Sequence, residues 1–271
     1  MRYAILGLVL KVLVTNDDGV RAPGLWALVK SLQTVAEVVV VAPDREQSGV
    51  GTSISLHNPL RITPVDAPPI KDVETYAAEG TPGDAVILAL SHLVKGGVDM
   101  VLAGINEGAN LGNDVYISGT VGAAFQGWFY GVPSVALSVG ALHDVKFEAA
   151  AKLAPLLVGL FARGKLPRNL LLNVTLPNAS LYDIQGIEVG RLARRTYADV
   201  VEEGWDGKRK YYWIVRGNAE WKDEPGTDVR AVRMGRISLT PLSSSNPQLL
   251  TTLRRLCFPL YAELLTARPG D

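Results

Sequence analysis

The chain has 271 residues, 48% of them hydrophobic and 20% charged, a balance that fits a compact folded protein and excludes a disordered one. Lys plus Arg and Asp plus Glu both number 27, so the formal net charge is zero and leaves no electrostatic footprint for a nucleic acid polymer or an anionic membrane surface. Cys257 is the one cysteine, which excludes an intrachain disulfide and points to a reducing compartment.

Met1 to Leu10 combines Arg2 with a short apolar run. Lys11 interrupts that run, no small-residue cleavage site follows, and a bilayer span takes about 20 apolar residues. The segment reads as an added strand, an apolar tail that packs in an oligomer, or an over-extended start. Val12-Leu13-Val14 is the first core strand and ends in Thr15-Asn16-Asp17-Asp18-Gly19. Pro23 sits where helices accept proline, at the first helical position, and Leu25, Trp26, Leu28, Val29 and Leu32 recur at helical spacing. Ala36 to Ala42 is nearly all apolar, as a strand buried on both faces must be, and it ends in the polar loop Pro43 to Gly51. Ser53 to Val65 is expected to be a projecting hairpin. Thr81-Pro82-Gly83-Asp84 opens the next helix, with Thr81 as N-cap and Asp84 in a structural role at the third position.

Asp99 to Ile105 is another buried strand, followed by the polar loop Asn106 to Asp114 and by a helix that begins at Ser118-Gly119-Thr120 and runs to about Tyr130. Ser134 to Ser138 is a short strand and Phe147 to Arg163 a strong helix. Strands and helices alternate in this way with continuous apolar strands, which predicts a mostly parallel sheet covered by helices on both faces. Beyond Asn169 the pattern turns β-rich: Leu170–Val174, Ile184–Val189, Lys210–Val215 and Ile237–Leu239 read as strands, and Pro247 to about Leu265 as helical. Leu249, Leu250, Leu253 and Leu256 to Leu260 either dock on a partner subunit or complete their own core. Arg191, Arg194 and Arg195, then Lys208, Arg209 and Lys210, make the later half locally basic and read mainly as solvated charge. No linker divides the chain, so residues 1–271 are taken as one domain, with a core over about 11–165 and an extension over about 166–271.

Three loops carry the chemistry. Each follows a predicted core strand, so all three fall on one rim of a parallel sheet, where open α/β sheets place their ligands. The first offers Asn16, Asp17 and Asp18. Adjacent carboxylates at a strand end repel each other and lose solvation if buried, and a bound cation offsets both costs. The second loop offers Ser48 among glycines. The third offers Asn106 and Asn110, then the backbone N–H groups and hydroxyls of Ser118-Gly119-Thr120 at a helix start, a natural phosphate cradle. Carboxylate, amide and hydroxyl oxygens suit a hard cation. Metal and phosphate cradle together point to metal-assisted phosphoryl chemistry. Taken singly, Ser48-Gly49 is an ordinary turn, Asn106 an ordinary strand end, and Ser118 an ordinary N-cap. None of His57, His92 and His143 falls in these three loops, so a histidine base is not expected from position.

The motifs Val-Thr-Asn-Asp-Asp-Gly, Ala-Pro-Asp-Arg-Glu-Gln-Ser-Gly-Val-Gly, Gly-Thr-Pro-Gly-Asp, Gly-Ile-Asn-Glu-Gly-Ala-Asn-Leu-Gly and Ser-Gly-Thr-Val-Gly-Ala-Ala occur in that order between Val14 and Ala124. With Gly226-Thr227-Asp228 and Ile237 to Leu242, they resemble the SurE (survival protein E) nucleotidase and acid phosphatase family. The resemblance covers roughly Lys11 to Leu242; the ten residues before it depart from the family's usual start. It implies a Rossmann-like α/β/α fold with a C-terminal extension used in oligomerisation. It also implies a cytoplasmic enzyme, dependent on Mg²⁺ or Mn²⁺, that releases phosphate from nucleoside monophosphates or small phosphomonoesters, and a homodimer or homotetramer with exchanged C-terminal segments. By motif, Asp17, Asp18, Ser48 and Asn106 are the implied metal ligands, Asp17 and Asp18 the implied catalytic acids, and Asn16, Asn110, Ser118, Gly119 and Thr120 the implied phosphate-side groups.

Two routes stay open in sequence: a water attacks phosphorus, or Asp17 or Asp18 attacks and forms a phospho-aspartate. Two rival classes also stand. A signalling receiver domain shares paired acids after its first strand, but it needs an acceptor aspartate where this chain has Gly-Ile-Asn. A non-catalytic nucleotide or metal sensor on the same fold has the same binding shell and is told apart only by turnover.

Overall fold

In this computed structural model, residues 9–196, 200–215, 220–221, 224–243 and 247–266 are described. The elements run β1 (Lys11–Thr15), α1 (Pro23–Leu32), β2 (Glu37–Pro43), β3 (Ile62–Pro64), β4 (Glu74–Ala78), α2 (Pro82–Leu88), β5 (Met100–Glu107), α3 (Gly119–Phe129), β6 (Ser134–Val139), α4 (Glu148–Ala162) and β7 (Leu171–Leu176). Then follow β8 (Ile187–Val189), β9 (Arg195–Thr196), β10 (Val200–Trp205), β11 (Lys210–Val215), β12 (Glu220–Trp221), α5 (Asp228–Arg233), β13 (Ile237–Pro241) and α6 (Pro247–Thr266).

Nine strands form one sheet in the order β3-β4-β2-β1-β5-β6-β7-β13-β8. From β4 to β7 every neighbouring pair is parallel. The chain builds outward from β1 through β2 to β4, then returns to the other side of β1 with β5 and builds outward again. Between β1 and β5 the direction of winding reverses, which opens a crevice at the carboxyl ends of those two strands.

The apolar strands are buried on both faces, and alternate residues serve opposite layers. Val12 and Val14 join Leu25, Leu28 and Leu32 of α1, Leu153 and Leu157 of α4, and Leu253 and Leu260 of α6 in one cluster. Leu13, Val39 and Val41 face Ala85 and Val86 of α2 and Val121 and Ala124 of α3 in the other. Each fully buried leucine contributes about 1.5–3 kcal/mol. Helices therefore cover both faces of the sheet, as the alternation of elements predicts. In this single chain Leu249, Leu253 and Leu260 of α6 pack into the first of these clusters.

Some local expectations change. Ser53 to Val65 does not fold back on itself; β3 pairs antiparallel with β4 instead. The short strand β4, Glu-Thr-Tyr-Ala-Ala, carried no apolar run to announce it. The predicted strand at Ile184–Val189 is shorter, and residues 187–189 pair with β13. Residues 1–8, and with them most of the N-terminal apolar run, lie outside the described residues. Asp84 has the structural role expected: it closes a capping box with Thr81 and accepts the Ser55 N–H at 2.8 Å and hydroxyl at 2.7 Å.

Candidate metal and phosphate site

Backbone contacts lace the three loops together at the crevice. The Gln47 N–H donates to the Asp17 carbonyl at 2.7 Å and brings the second loop, with Ser48, against the first. The Glu107 N–H is turned on the Asp18 carboxylate and brings in the third. The Gly51 N–H donates to the Ile117 carbonyl at 3.0 Å and ties the second loop to the entry of α3. Pairing between β5 and β6 shifts register between Ala103 and Asn106. Gly104 lies there with φ 136, and a Cβ on it would stand 2.2 Å from the Leu137 carbonyl oxygen. Glycine alone fits, and the irregularity re-aims the end of the strand so that Asn106 reaches the crevice.

The result is a cleft of about 900 Å³ lined by Asp17, Asp18, Ser48, Asn106, Asn110 and Ser118 among others. Asp17 is only 4% exposed, and burial raises its carboxyl above the usual range. Against that work the Thr120 hydroxyl, which donates to Asp17 Oδ1, and the N–H groups of Thr120 and Gly119 at the start of α3. Burial raises the Asp18 carboxyl to about 7, the Asp17 charge adds to this, and the charges of Glu107 and Glu46 add less. Asp18 Oδ2 is buried without a hydrogen-bond partner.

That orphaned oxygen tests whether a cation fits. The remaining donors are compatible. Asn106 Nδ2 donates to the Gly108 carbonyl at 2.8 Å, which leaves its Oδ1 as an acceptor. The Ser48 hydroxyl donates to Glu46 Oε1 at 2.8 Å, which leaves its lone pairs. Two carboxylates and two neutral oxygens are a donor set for a hard cation that keeps part of its water shell. Among the described residues no cluster of three His, Cys, Asp or Glu side chains gathers to hold a metal.

On the phosphate side, Asn110 is 7% exposed and its Nδ2 has no partner, so an unmade N–H donor belongs to the cleft lining. Its carbonyl is fixed from β7 by Asn173 Nδ2 at 2.8 Å and Thr175 Oγ1 at 3.1 Å. Ser118 caps α3, its Oγ accepting from the Val121 N–H at 3.1 Å, and it too lines the cleft.

Three expected phosphate-side residues are placed otherwise. Asn16 closes its own turn, donating to the Gly19 carbonyl at 3.0 Å and accepting the Gly19 N–H at 3.2 Å. Gly119 and Thr120 are not among the residues lining the cleft, and their amides serve the Asp17 carboxylate at the helix N-terminus. Sequence reading also missed Glu46, Glu107, and a fourth loop after β6, where Leu142 and His143 line the cleft. No ligand-like pattern marks Gly-Ala-Leu-His; its place after a core strand was the available signal.

Fold and site together define a doubly wound α/β protein with an acid-paired, oxygen-lined cleft at its topological switch point. The survival protein SurE family model matches residues 12–199. A 5'-nucleotidase SurE of Dehalococcoides mccartyi (strain CBDB1) is 43% identical over 235 residues, covering 86% of this chain and 88% of that relative. One of Vibrio parahaemolyticus is 44% identical over 236 residues, covering 86% and 88%. The crystal structure of the SurE protein from Aquifex aeolicus superposes with a TM-score of 0.74 at 38% identity, covering 91% of this chain and 99% of that one. The chain belongs to the SurE family.

Proposed function

We propose that the protein is a divalent-metal-dependent phosphomonoesterase that hydrolyses nucleoside monophosphates to nucleoside and phosphate. The observation that carries this is the pairing, in one cleft, of a buried acceptor without a partner on Asp18 with a buried donor without a partner on Asn110. One calls for a cation and the other for an anion. The relatives named 5'-nucleotidase support the same reading.

Asp17, Asp18, Ser48 and Asn106 hold the cation, Mg²⁺ or Mn²⁺. Bound there, it supplies neutralising charge and an activated water. Thr120 and the α3 amides lock Asp17 in one orientation, so the carboxylate does not reorganise during reaction. Asn110 Nδ2 and the Ser118 hydroxyl donate to non-bridging phosphate oxygens. Hydrolysis breaks the ester P–O bond, joins the water oxygen to phosphorus, and leaves the departing sugar hydroxyl protonated.

The same reading makes the chain one domain, resident in the cytoplasm, and a homodimer or homotetramer with exchanged C-terminal segments. The single cysteine agrees with a reducing compartment. Exposed Trp205, Tyr212, Trp213 and Ile214 on the β10–β11 hairpin agree with self-association. No helix among the described residues is long and apolar enough to cross a membrane.

The test is phosphate release from nucleoside monophosphates with Mg²⁺ or Mn²⁺, beside an EDTA control and the Asp18→Asn variant. Turnover lost in both controls supports the reading. Turnover that survives either one sinks the site. Metal-dependent nucleotide binding without turnover leaves a sensor on this fold.

A further inference from the structure

The four carboxylates that line the cleft, Asp17, Asp18, Glu46 and Glu107, are joined by no lysine or arginine. Cation and phosphate account for the Asp17–Asn110 part of the lining. Yet about 900 Å³ is far more than a phosphate fills and matches pockets of about 300–1,000 Å³ that hold whole organic ligands. The loop after β6 contributes an uncharged stretch of wall, Gly140 to Leu142, and then His143.

That loop is held still. The Gly140 N–H donates to the Leu176 carbonyl at 2.9 Å, and the Ala141 N–H to the Val139 carbonyl at 2.8 Å. Beyond His143, the Asn178 side chain clamps the backbone, accepting the Lys146 N–H at 2.8 Å and donating to the Asp144 carbonyl at 3.2 Å. Asp144 takes φ 52, a left-handed conformation that turns the chain there. On this fixed loop Leu142 is 66% exposed. It is the largest aliphatic side chain of the lining, the other apolar members being alanines and Pro23. Gly108 makes room for it: a Cβ there would lie 3.2 Å from Leu142 Cδ2. A large apolar side chain held against the catalytic loop, and left open to the cleft, contributes little to the core. It is placed to cover something apolar that enters.

We infer that Leu142 and His143 form the nucleoside-side wall of the cleft, with Leu142 against a face of the base or sugar and His143 offering a ring nitrogen to a polar edge. The inference rests on the phosphomonoesterase reading above and adds to it the residues that select a nucleoside as the leaving group. An aliphatic surface suits a ring face, and an imidazole suits the donors and acceptors at its rim. Glycerol phosphate has no ring to set on Leu142.

The experiment compares kcat/KM for a nucleoside 5'-monophosphate and for glycerol 2-phosphate in the wild type, Leu142→Ala and His143→Ala, each with Mn²⁺. The expected result is a fall of about tenfold in the nucleotide-to-glycerol-phosphate ratio for Leu142→Ala, and a smaller fall for His143→Ala. A loss of folded enzyme lowers both rates equally and leaves the ratio alone, so the ratio isolates recognition. A wild type that hydrolyses both esters, with a ratio that stays within about twofold in the variants, overturns the wall and leaves the phosphomonoesterase reading intact. A wild type that hydrolyses neither ester overturns both.

Discussion

The Asp228 carboxylate accepts the Gly112 N–H at 2.7 Å, across 116 positions of sequence. The same side chain, with no exposed surface, accepts the N–H groups of Ala193 at 2.9 Å and Val229 at 2.8 Å. The first residue of α5 therefore props the loop that carries Asn110 from behind. Asp228→Ala strands three buried donors at once. Each unsatisfied group costs about 1–3 kcal/mol, so a loss of about 3 kcal/mol or more is expected, which lowers Tm by roughly 6–12 °C in a chain of this size. Thermal melts measure it. Where the variant stays folded at low temperature, KM is expected to rise more than kcat falls, because the displaced loop carries Asn110, the proposed phosphate donor.

In the metal-free protein the Asp17 charge repels the Asp18 carboxylate and only the Glu107 N–H answers it, so its removal has opposite effects on stability and activity. Asp18→Asn relieves like charge beside Asp17 and the desolvation of a buried carboxylate. We expect the metal-free Tm to rise by about 2 to 4 °C, the shift that ~1 kcal/mol makes in a chain of this length. Mn²⁺ is expected to raise the wild-type Tm by binding the native state, and that rise should vanish in the variant. Activity should fall at least about a hundredfold. A variant that keeps both the metal-dependent Tm shift and its turnover would show that the cation sits elsewhere.

Thr120 acts through Asp17. Thr120→Val keeps the shape and removes the hydroxyl donor to Oδ1. A hydrogen bond to a charged group contributes about 1.5–3 kcal/mol, and the α3 amides retain part of the restraint. The expected outcome is a fall in kcat of about tenfold with little change in KM, and rescue by Thr120→Ser. A KM effect without a kcat effect would place Thr120 on the substrate instead.

How much of this was legible in sequence depends on what each feature is made of. Val12 to Val14 and Val38 to Val41 announced themselves because a central parallel strand is apolar on both faces, and their alternate residues do split between the two layers. β4 was invisible because it lies next to the sheet edge and carries Glu74, Thr75 and Tyr76. α5, with Asp228, Arg230 and Arg233 in six residues, shows no apolar stripe. Within the site, the loops after β1, β2 and β5 could be gathered because each follows a core strand and offers oxygen ligands. The loop after β6 follows a core strand too, but Leu142 and His143 carry no metal or phosphate signature. The direction of an N–H group is also not written in residue type: Ser118-Gly119-Thr120 reads as a cradle whether its amides meet a phosphate or, as here, the Asp17 carboxylate.

Gly122 separates helix propensity from packing at the site. In the interior of α3, alanine is the better helix former by about 1 kcal/mol, so propensity alone predicts that Gly122→Ala stabilises. However, a Cβ at Gly122 would stand 2.1 Å from the Gly51 carbonyl oxygen and 2.8 Å from its carbon, both backbone atoms. α3 must then move off the loop that carries Ser48, and overpacking of this kind costs about 1–3 kcal/mol. Packing wins: Gly122→Ala is expected to lower Tm and, by shifting Ser48 from Asp17 and Asp18, to lower kcat/KM as well. Gly159→Ala in α4 is the matched control. There the nearest atoms are the guanidinium nitrogens of Arg163, the nearer at 3.3 Å, at the far end of a flexible side chain. That variant should hold or raise Tm and leave turnover unchanged. Melts and kinetics on the pair decide the matter: equal stabilisation by both alanines would show that α3 is free to shift from the Ser48 loop, and the close seating of helix on loop would then not be what positions Ser48.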